Sequence, residues 1–319
     1  MTRYLSVPVA IGFVAALCAC ASPERSESGA KGADGAAKSD SGAPTLFDDF
    51  TYTSAAEMER NGWILRTKPG WPGVPGASWT GNVEVGVPDA ASASNRLVRM
   101  RAITDGTKTR QAQFCHQRKY DEGTYAARVR FSDAPVSGPD GDQIVQTFYT
   151  IAPLKSPLDT DYSELDFEYL PNGGWGSGEL TLFVTTWETF HPEPKWLQIN
   201  KSTNVQSSRN GWRTLVLQVA GGEATYFIDG EKLGTHGGPY YPEEPMSINF
   251  NLWFIRDQLV KSSARRTYAQ EVDWVFHEAG SVLSPAQVRE RVAAFQQSGV
   301  AFRDTVPARD PPLDSPCDF

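Results

Sequence analysis

Histidine, methionine and cysteine are scarce in this 319-residue chain, with four of each. The four histidines, His116, His191, His236 and His277, show no metal-ligand spacing. Positive charge is short as well: 30 Lys and Arg against 38 Asp and Glu leave a net charge of −8. The basic residues form no stripe, so the electrostatic footprint of a nucleic-acid partner is missing. The glycine-rich run Gly174-Trp175-Gly176-Ser177-Gly178 opens no helix, which excludes a phosphate cradle. No internal repeat is visible. The apolar run Leu5 to Leu17 is too short to cross a bilayer, which takes about 20 residues.

That run reads instead as part of an address. Arg3 supplies a positive start, the uncharged run follows, and Leu17-Cys18-Ala19-Cys20 resembles a bacterial lipobox. Residues 1–19 are therefore expected to be a cleaved signal and Cys20 a lipidation site. The alternative is free secretion, since Ala19-Cys20-Ala21 also fits a small-x-small cleavage pattern. Residues 20–44 are then a tether of Ala, Ser, Gly, Asp, Glu and Lys, with too little apolar surface to fold. The expected location is the outer face of a bacterial cell membrane, reached only through the N-terminal lipid. With Cys20 acylated, Cys115 and Cys317 remain in the mature chain. An oxidising compartment permits a disulfide between them; the alternative is two isolated thiols.

What the chain does have is strands. Apolar residues make up 40% and aromatics 11%, ample for a core. In the run from Gly123, Tyr125, Ala127, Val129 and Phe131 alternate with Arg128 and Arg130, a period of two. Leu97 to Ile103, Gln143 to Ile151, Glu179 to Trp187 and Trp212 to Val219 are similar, rich in β-branched and aromatic residues. Gly221-Gly222 and Asp229-Gly230 bracket Ala224 to Ile228 as hairpin turns. Met246 to Ile255 and Val272 to Phe276 complete about a dozen strands with no helix among them. An all-β, two-sheet antiparallel sandwich or jelly roll is expected over 45–279. Residues 280–319 should add a short helix, opened by Ser284-Pro285-Ala286-Gln287 as a capping box, and an extended tail from Arg303.

One strand stands apart: Asp161-Tyr162-Ser163-Glu164-Leu165-Asp166-Phe167-Glu168-Tyr169-Leu170. Alternation puts Leu165, Phe167 and Tyr169 on a core face and Glu164, Asp166 and Glu168 together on the other. Asp is disfavoured in strands, and three like charges in a row repel, so a merely solvated face would not be built this way. Glu164 and Glu168 have backbones roughly 13 Å apart, and two inward-leaning side chains close much of that gap. Retaining glycosidases need their two carboxyls about 5 to 5.5 Å apart. The reading is Glu164 as nucleophile, Glu168 as acid and base, and Asp166 as the group that biases the proton between them. A calcium site is the alternative use of such a cluster.

A sugar offers apolar C–H faces and hydroxyls, so its site wants aromatic platforms and amide partners. Alternation along Met246 to Ile255 sets Asn249, Asn251 and Trp253 opposite the apolar Ile248, Phe250, Leu252 and Phe254. Trp187, Tyr149 and Trp175 are further candidates for substrate contact.

These segments together resemble glycoside hydrolase family 16. The family's Glu-x-Asp-x-Glu strand is matched by Glu164-Leu165-Asp166-Phe167-Glu168. Tyr120-Asp121-Glu122-Gly123-Thr124-Tyr125-Ala126-Ala127-Arg128, Gly211-Trp212-Arg213-Thr214, Tyr226-Phe227-Ile228-Asp229-Gly230, Pro245 to Trp253 and Glu271-Val272-Asp273-Trp274-Val275 resemble its other strands, in the family's order. The likeness covers 46–279. It implies a concanavalin-like β-jelly roll, with Glu164 as nucleophile, Asp166 as assisting acid and Glu168 as acid/base. It implies endo-type hydrolysis of a β-linked polysaccharide, a β-glucan first, by a monomer that needs no cofactor for catalysis. A transglycosylase, or a carbohydrate-binding surface protein without turnover, are the alternatives. Many members also hold a structural calcium through a carboxylate of the last strand, and Asp273 stands at that position. Where the family often has Phe-Trp before the acidic strand, this chain has Phe148-Tyr149.

Overall fold

A computed structural model describes residues 42–315 and Cys317. The signal, Cys20 and most of the tether lie outside the described residues. In chain order the elements are β1 (Thr45–Asp48), α1 (Ala55–Arg60), β2 (Trp63–Leu65), β3 (Val83–Asp89), β4 (Ser92–Thr104), β5 (Thr109–Arg110), β6 (Ala112–His116) and β7 (Gly123–Phe131). Then follow β8 (Ile144–Ile151), β9 (Glu164–Leu170), β10 (Thr181–His191), β11 (Leu197–Val205), β12 (Gly211–Ala220), β13 (Glu223–Ile228) and β14 (Glu231–Gly237). The last are β15 (Ser247–Phe254), β16 (Arg266–Ala279), α2 (Pro285–Gln297) and β17 (Phe302–Asp304).

They make two antiparallel sheets. One has seven strands in the order β11-β10-β9-β8-β15-β6-β2; the other has ten, along β14-β13-β12-β7-β16-β1-β17 with β4 beside β16, and β3 and β5 beside β4. The alternating patterns decide which faces meet. Leu165, Phe167 and Tyr169 of β9 and Ile248, Phe250, Leu252 and Phe254 of β15 turn inward against Tyr125, Ala127, Val129 and Phe131 of β7. All of these are fully buried, each contributing about 1.5–3 kcal/mol where the side chain is large. The acidic residues of β9 therefore stand on the outer face of the seven-stranded sheet. The two-sheet jelly roll expected from the alternation is what the chain forms.

Helix α2 covers the outer face of the ten-stranded sheet. Val288 and Val292 pack with Phe47, Val216, Trp274 and Phe276, and Phe295 stacks on Phe47 with ring centroids 4.8 Å apart. Its capping box is present: Ser284 Oγ accepts from the Gln287 amide and Gln287 Oε1 from the Ser284 amide. Two features differ from the sequence reading. Helix α1 lies among the first strands; at six residues it is too short to show a period, and its signal is the Ser54 cap accepting from Glu57. The tail does not simply run over the surface, because β17 pairs with β1 and extends the sheet. Further on, Cys317 is bonded to Cys115.

Candidate active site

Strand β9 lies between β8 and β10, and the register fixes what flanks each carboxylate. Glu164 faces Ile151 and Trp187, Asp166 faces Tyr149 and Thr185, and Glu168 faces Thr147 and Phe183. Asp166 is 3% exposed, while Glu164 and Glu168 keep partial access to solvent. The Tyr162 hydroxyl donates to Glu164, and Trp187 Nε1 donates to Asp166 Oδ2 at 3.0 Å. Tyr162 was missed in the sequence, although it extends the 164-166-168 alternation by one step.

Burial raises the pKa of all three carboxyls. Glu164 is pushed up to about 7, with the Tyr162 hydroxyl opposing. Asp166 goes well above the carboxylate range through burial and then the charges of Glu164 and Glu168, with Trp187 opposing. Glu168 goes well above it through burial and then the charge of Glu164. Three carboxyls this close titrate as one cluster, and burial together with mutual repulsion holds protons on it above the ordinary carboxylate range. Retaining chemistry requires one ionised carboxylate beside a carboxyl that keeps its proton, and a cluster that holds protons above the ordinary range can supply both.

A polar network holds the floor beside the carboxylates. Arg66 Nη1 donates to Gln113 Oε1 at 2.8 Å, and Gln113 Nε2 donates to the Tyr149 hydroxyl at 3.0 Å. Asn251 Nδ2 donates to the same hydroxyl at 3.3 Å and its Oδ1 accepts from Thr147 Oγ1 at 2.6 Å. Burial, then the charge of Glu164, keeps the Tyr149 phenol protonated far above its ordinary range. The six proposed substrate contacts spread across this face. Tyr149 and Trp187 adjoin the carboxylates. Trp253 and Trp175 form a second cluster, ring centroids 6.1 Å apart, with Phe183 5.4 Å from Trp175. Asn251 lies in the polar floor. Asn249 is sealed, fully buried, with Nδ2 bonded to Ser247 Oγ.

Aromatic residues that no periodicity pointed to pack beside and beneath this face. Phe190 packs against Tyr162, Trp187 and Trp196. Trp79, buried, shares a cluster with Val145, Leu170, Phe183 and Trp253.

Asp273 is engaged differently from a calcium ligand. Its Oδ1 accepts from Asn95 Nδ2 at 2.7 Å, and its Oδ2 takes Arg128 Nη1 at 2.5 Å. A guanidinium supplies the positive charge there. Among the described residues no group of three or more His, Cys, Asp or Glu is gathered in a way that could hold a metal. These residues do not fit the calcium site that the resemblance implies.

The raised carboxyls make stability depend on pH. Below about pH 4.5, the ordinary value for Glu164, it is protonated in both folded and unfolded chains and its burial is harmless. Between 4.5 and about 7 the unfolded chain releases the proton and the folded one does not, so stability falls as pH rises through this window. Glu164→Gln is accordingly expected to stabilise the fold at pH 8 by about 2 kcal/mol, a value reduced for the solvent that still reaches the group. The gain should vanish at pH 4. Thermal melts of both proteins across that range check it, and a variant that is less stable at pH 8 would refute the cost of burial.

No family model and no curated protein matches this sequence. Solved structures do. The Bacillus licheniformis β-glucanase is similar at 14% identity and a TM-score of 0.52, over 74% of this chain and 99% of its own. A family 16 endo-glucanase from Bacteroides ovatus is similar at 17% identity and 0.55, over 72% and 98%. The laminarinase from Flavobacterium sp. UMI-01 gives 15% and 0.52, over 73% and 98%. What the likeness establishes is architecture: this chain has the jelly-roll fold of the glycoside hydrolases of family 16.

Proposed function

We propose that the protein is a retaining glycosidase that cleaves a β-linked polysaccharide, with β-glucan as the first candidate, by double displacement. The observation that carries this reading is the carboxylate row itself, with Glu164, Asp166 and Glu168 on one face of β9 and burial raising the pKa of all three. Glu164 attacks the anomeric carbon as Glu168 protonates the departing glycosidic oxygen, and an ester to Glu164 results. Once Glu164 is esterified its charge no longer holds the proton on Glu168, so Glu168 can accept one from water as that water attacks. Asp166, fixed by Trp187, mediates between the two. Tyr149, whose oxygen already accepts from Gln113 and Asn251, has its proton to offer a sugar hydroxyl.

The choice of β-glucan follows from proteins of the same fold that are β-glucanases and a laminarinase. The place of action proposed is the outer face of a bacterial membrane, on the strength of Leu17-Cys18-Ala19-Cys20 and the unfoldable composition after it.

Incubation of the protein with mixed-linkage β-glucan, laminarin, galactan and xyloglucan tests this by reducing-sugar release, with proton NMR of the first product. Release from a β-glucan with the β-anomer formed first is expected. An α-anomer first would replace double displacement by direct inversion. A folded protein that cleaves none of them would remove hydrolysis as the reading for these substrates.

A further inference from the structure

We propose that the chain itself closes the outer face of the seven-stranded sheet on its β6–β2 side, so that the site takes a polysaccharide by an end and not along its length. The proposal rests on the glycosidase reading. It concerns how substrate is presented, and it departs from the mid-chain cutting that the resemblance implies.

A straight row of register partners runs across the sheet from the site: Asp166 opposite Tyr149, Tyr149 opposite Asn249, Asn249 opposite Cys115. Phe114 points into the core, so Cys115 points to the same side as Asp166. Three inter-strand steps of about 4.8 Å place it roughly 14 Å from Asp166. There it is bonded to Cys317, which is fully buried. The approach to Cys317 is held by a bridge between Leu313 and Arg118 and by Ser315 Oγ 3.2 Å from the Cys115 sulfur. A glycan laid across the strands meets this tail.

A second piece of chain leaves the same side and roofs the face. Leaving β2, residues 66–79 fold over the face. The Arg66 guanidinium lies 3.9 Å over the Trp79 ring and Nη2 donates to the Trp71 carbonyl at 3.0 Å. Trp71 then stacks on Phe190 of β10, centroids 6.1 Å apart and planes 27° apart. In the sheet order β10 and β2 are five strands apart, so the strap spans most of the face. The result is that Gln113, Asn249 and Cys115 have no exposure, where an open cleft would leave its floor wet.

The β11 edge is open. Beyond Thr185 the next strand presents Ser202, exposed, and Asn204 borders a cavity of about 710 Å³ with Trp175 and Phe183. A chain that enters from there finds space on one side of the carboxylates and a wall on the other. Cys317 is thus assigned as the residue that sets where the chain must stop, and Trp71 as the one that roofs its path.

The test is the mode of attack of the full chain on mixed-linkage β-glucan, followed by viscosity and by reducing ends in the same sample. End-wise action predicts that reducing ends accumulate while viscosity hardly falls, with short products of uniform size from the start. Trp71→Ala, which removes an exposed ring and leaves the core intact, should increase the viscosity lost per bond cut several-fold. Cys317→Ser, checked for folding by its melt, should act in the same direction. Viscosity that collapses at the first bonds cut, with Trp71→Ala unchanged from the parent, would overturn the proposal. A parent that produces no reducing ends at all is a different result: it removes the glycosidase reading, and this proposal with it.

Discussion

Glu164→Gln is expected to lower turnover of a susceptible β-glucan by about 10⁴-fold or more while the protein remains folded. Gln has the shape of Glu but no carboxylate to attack the anomeric carbon. Its loss also frees the neighbours, since Glu164 is the charge that raises both Asp166 and Glu168. Glu168→Gln should behave differently. An aryl β-glycoside leaves without protonation, so formation of the ester survives and its hydrolysis, now without a base, becomes slow. A burst of released phenol followed by a slow phase is the expected record. Azide, a nucleophile that needs no base, should speed the slow phase and give the β-glycosyl azide. The alkaline limb of the pH profile, which reports the proton on Glu168, should go with the substitution. Rates for the two variants on polymer and on aryl glycoside separate the roles. If Glu164→Gln stays within about tenfold of the parent, the nucleophile lies elsewhere.

How much of this could be read from the sequence depended on periodicity. Strands with one face in the core repeat every second residue, so Leu165, Phe167 and Tyr169 announced their face and thereby the opposite one. The three carboxylates were legible for the same reason. Strand β11 was not, because Leu197–Val205 is an edge strand, largely exposed, with no apolar period to reveal it. Nor was the strap. Lys68 to Ala77 is a Pro- and Gly-rich segment without alternation, and nothing local says that Trp71 ends on Phe190, over a hundred residues on. The same holds for the fully buried Arg266–Asp142 pair, at 2.6 Å, whose partners are set by the closure of the fold. Asp273 shows the limit of a motif: its position was identified, but its partner is Arg128 on the neighbouring strand β7, 145 residues away in sequence, a pairing that no single segment encodes.

Reduction of Cys115–Cys317 is expected to cost about 3–5 kcal/mol of stability. The two cysteines are 202 residues apart, and their bond removes from the unfolded chain the entropy of closing that long loop. Local packing alone could not hold the tail so well. Within it Val306 is buried and accepts from Lys119 Nζ at 2.9 Å through its carbonyl, while the residues on to Ser315 are for the most part exposed. For a domain of this size the loss corresponds to a fall in melting temperature of about 10 °C. Denaturant unfolding with and without reductant measures it, and the double variant Cys115→Ser/Cys317→Ser controls for effects of the reductant elsewhere. The same experiment separates two uses of the bond. If it serves the fold alone, reduction moves the melt and leaves the pattern of products as it was. If it also holds a wall across the cleft, products lengthen under reductant at temperatures where the protein is still folded.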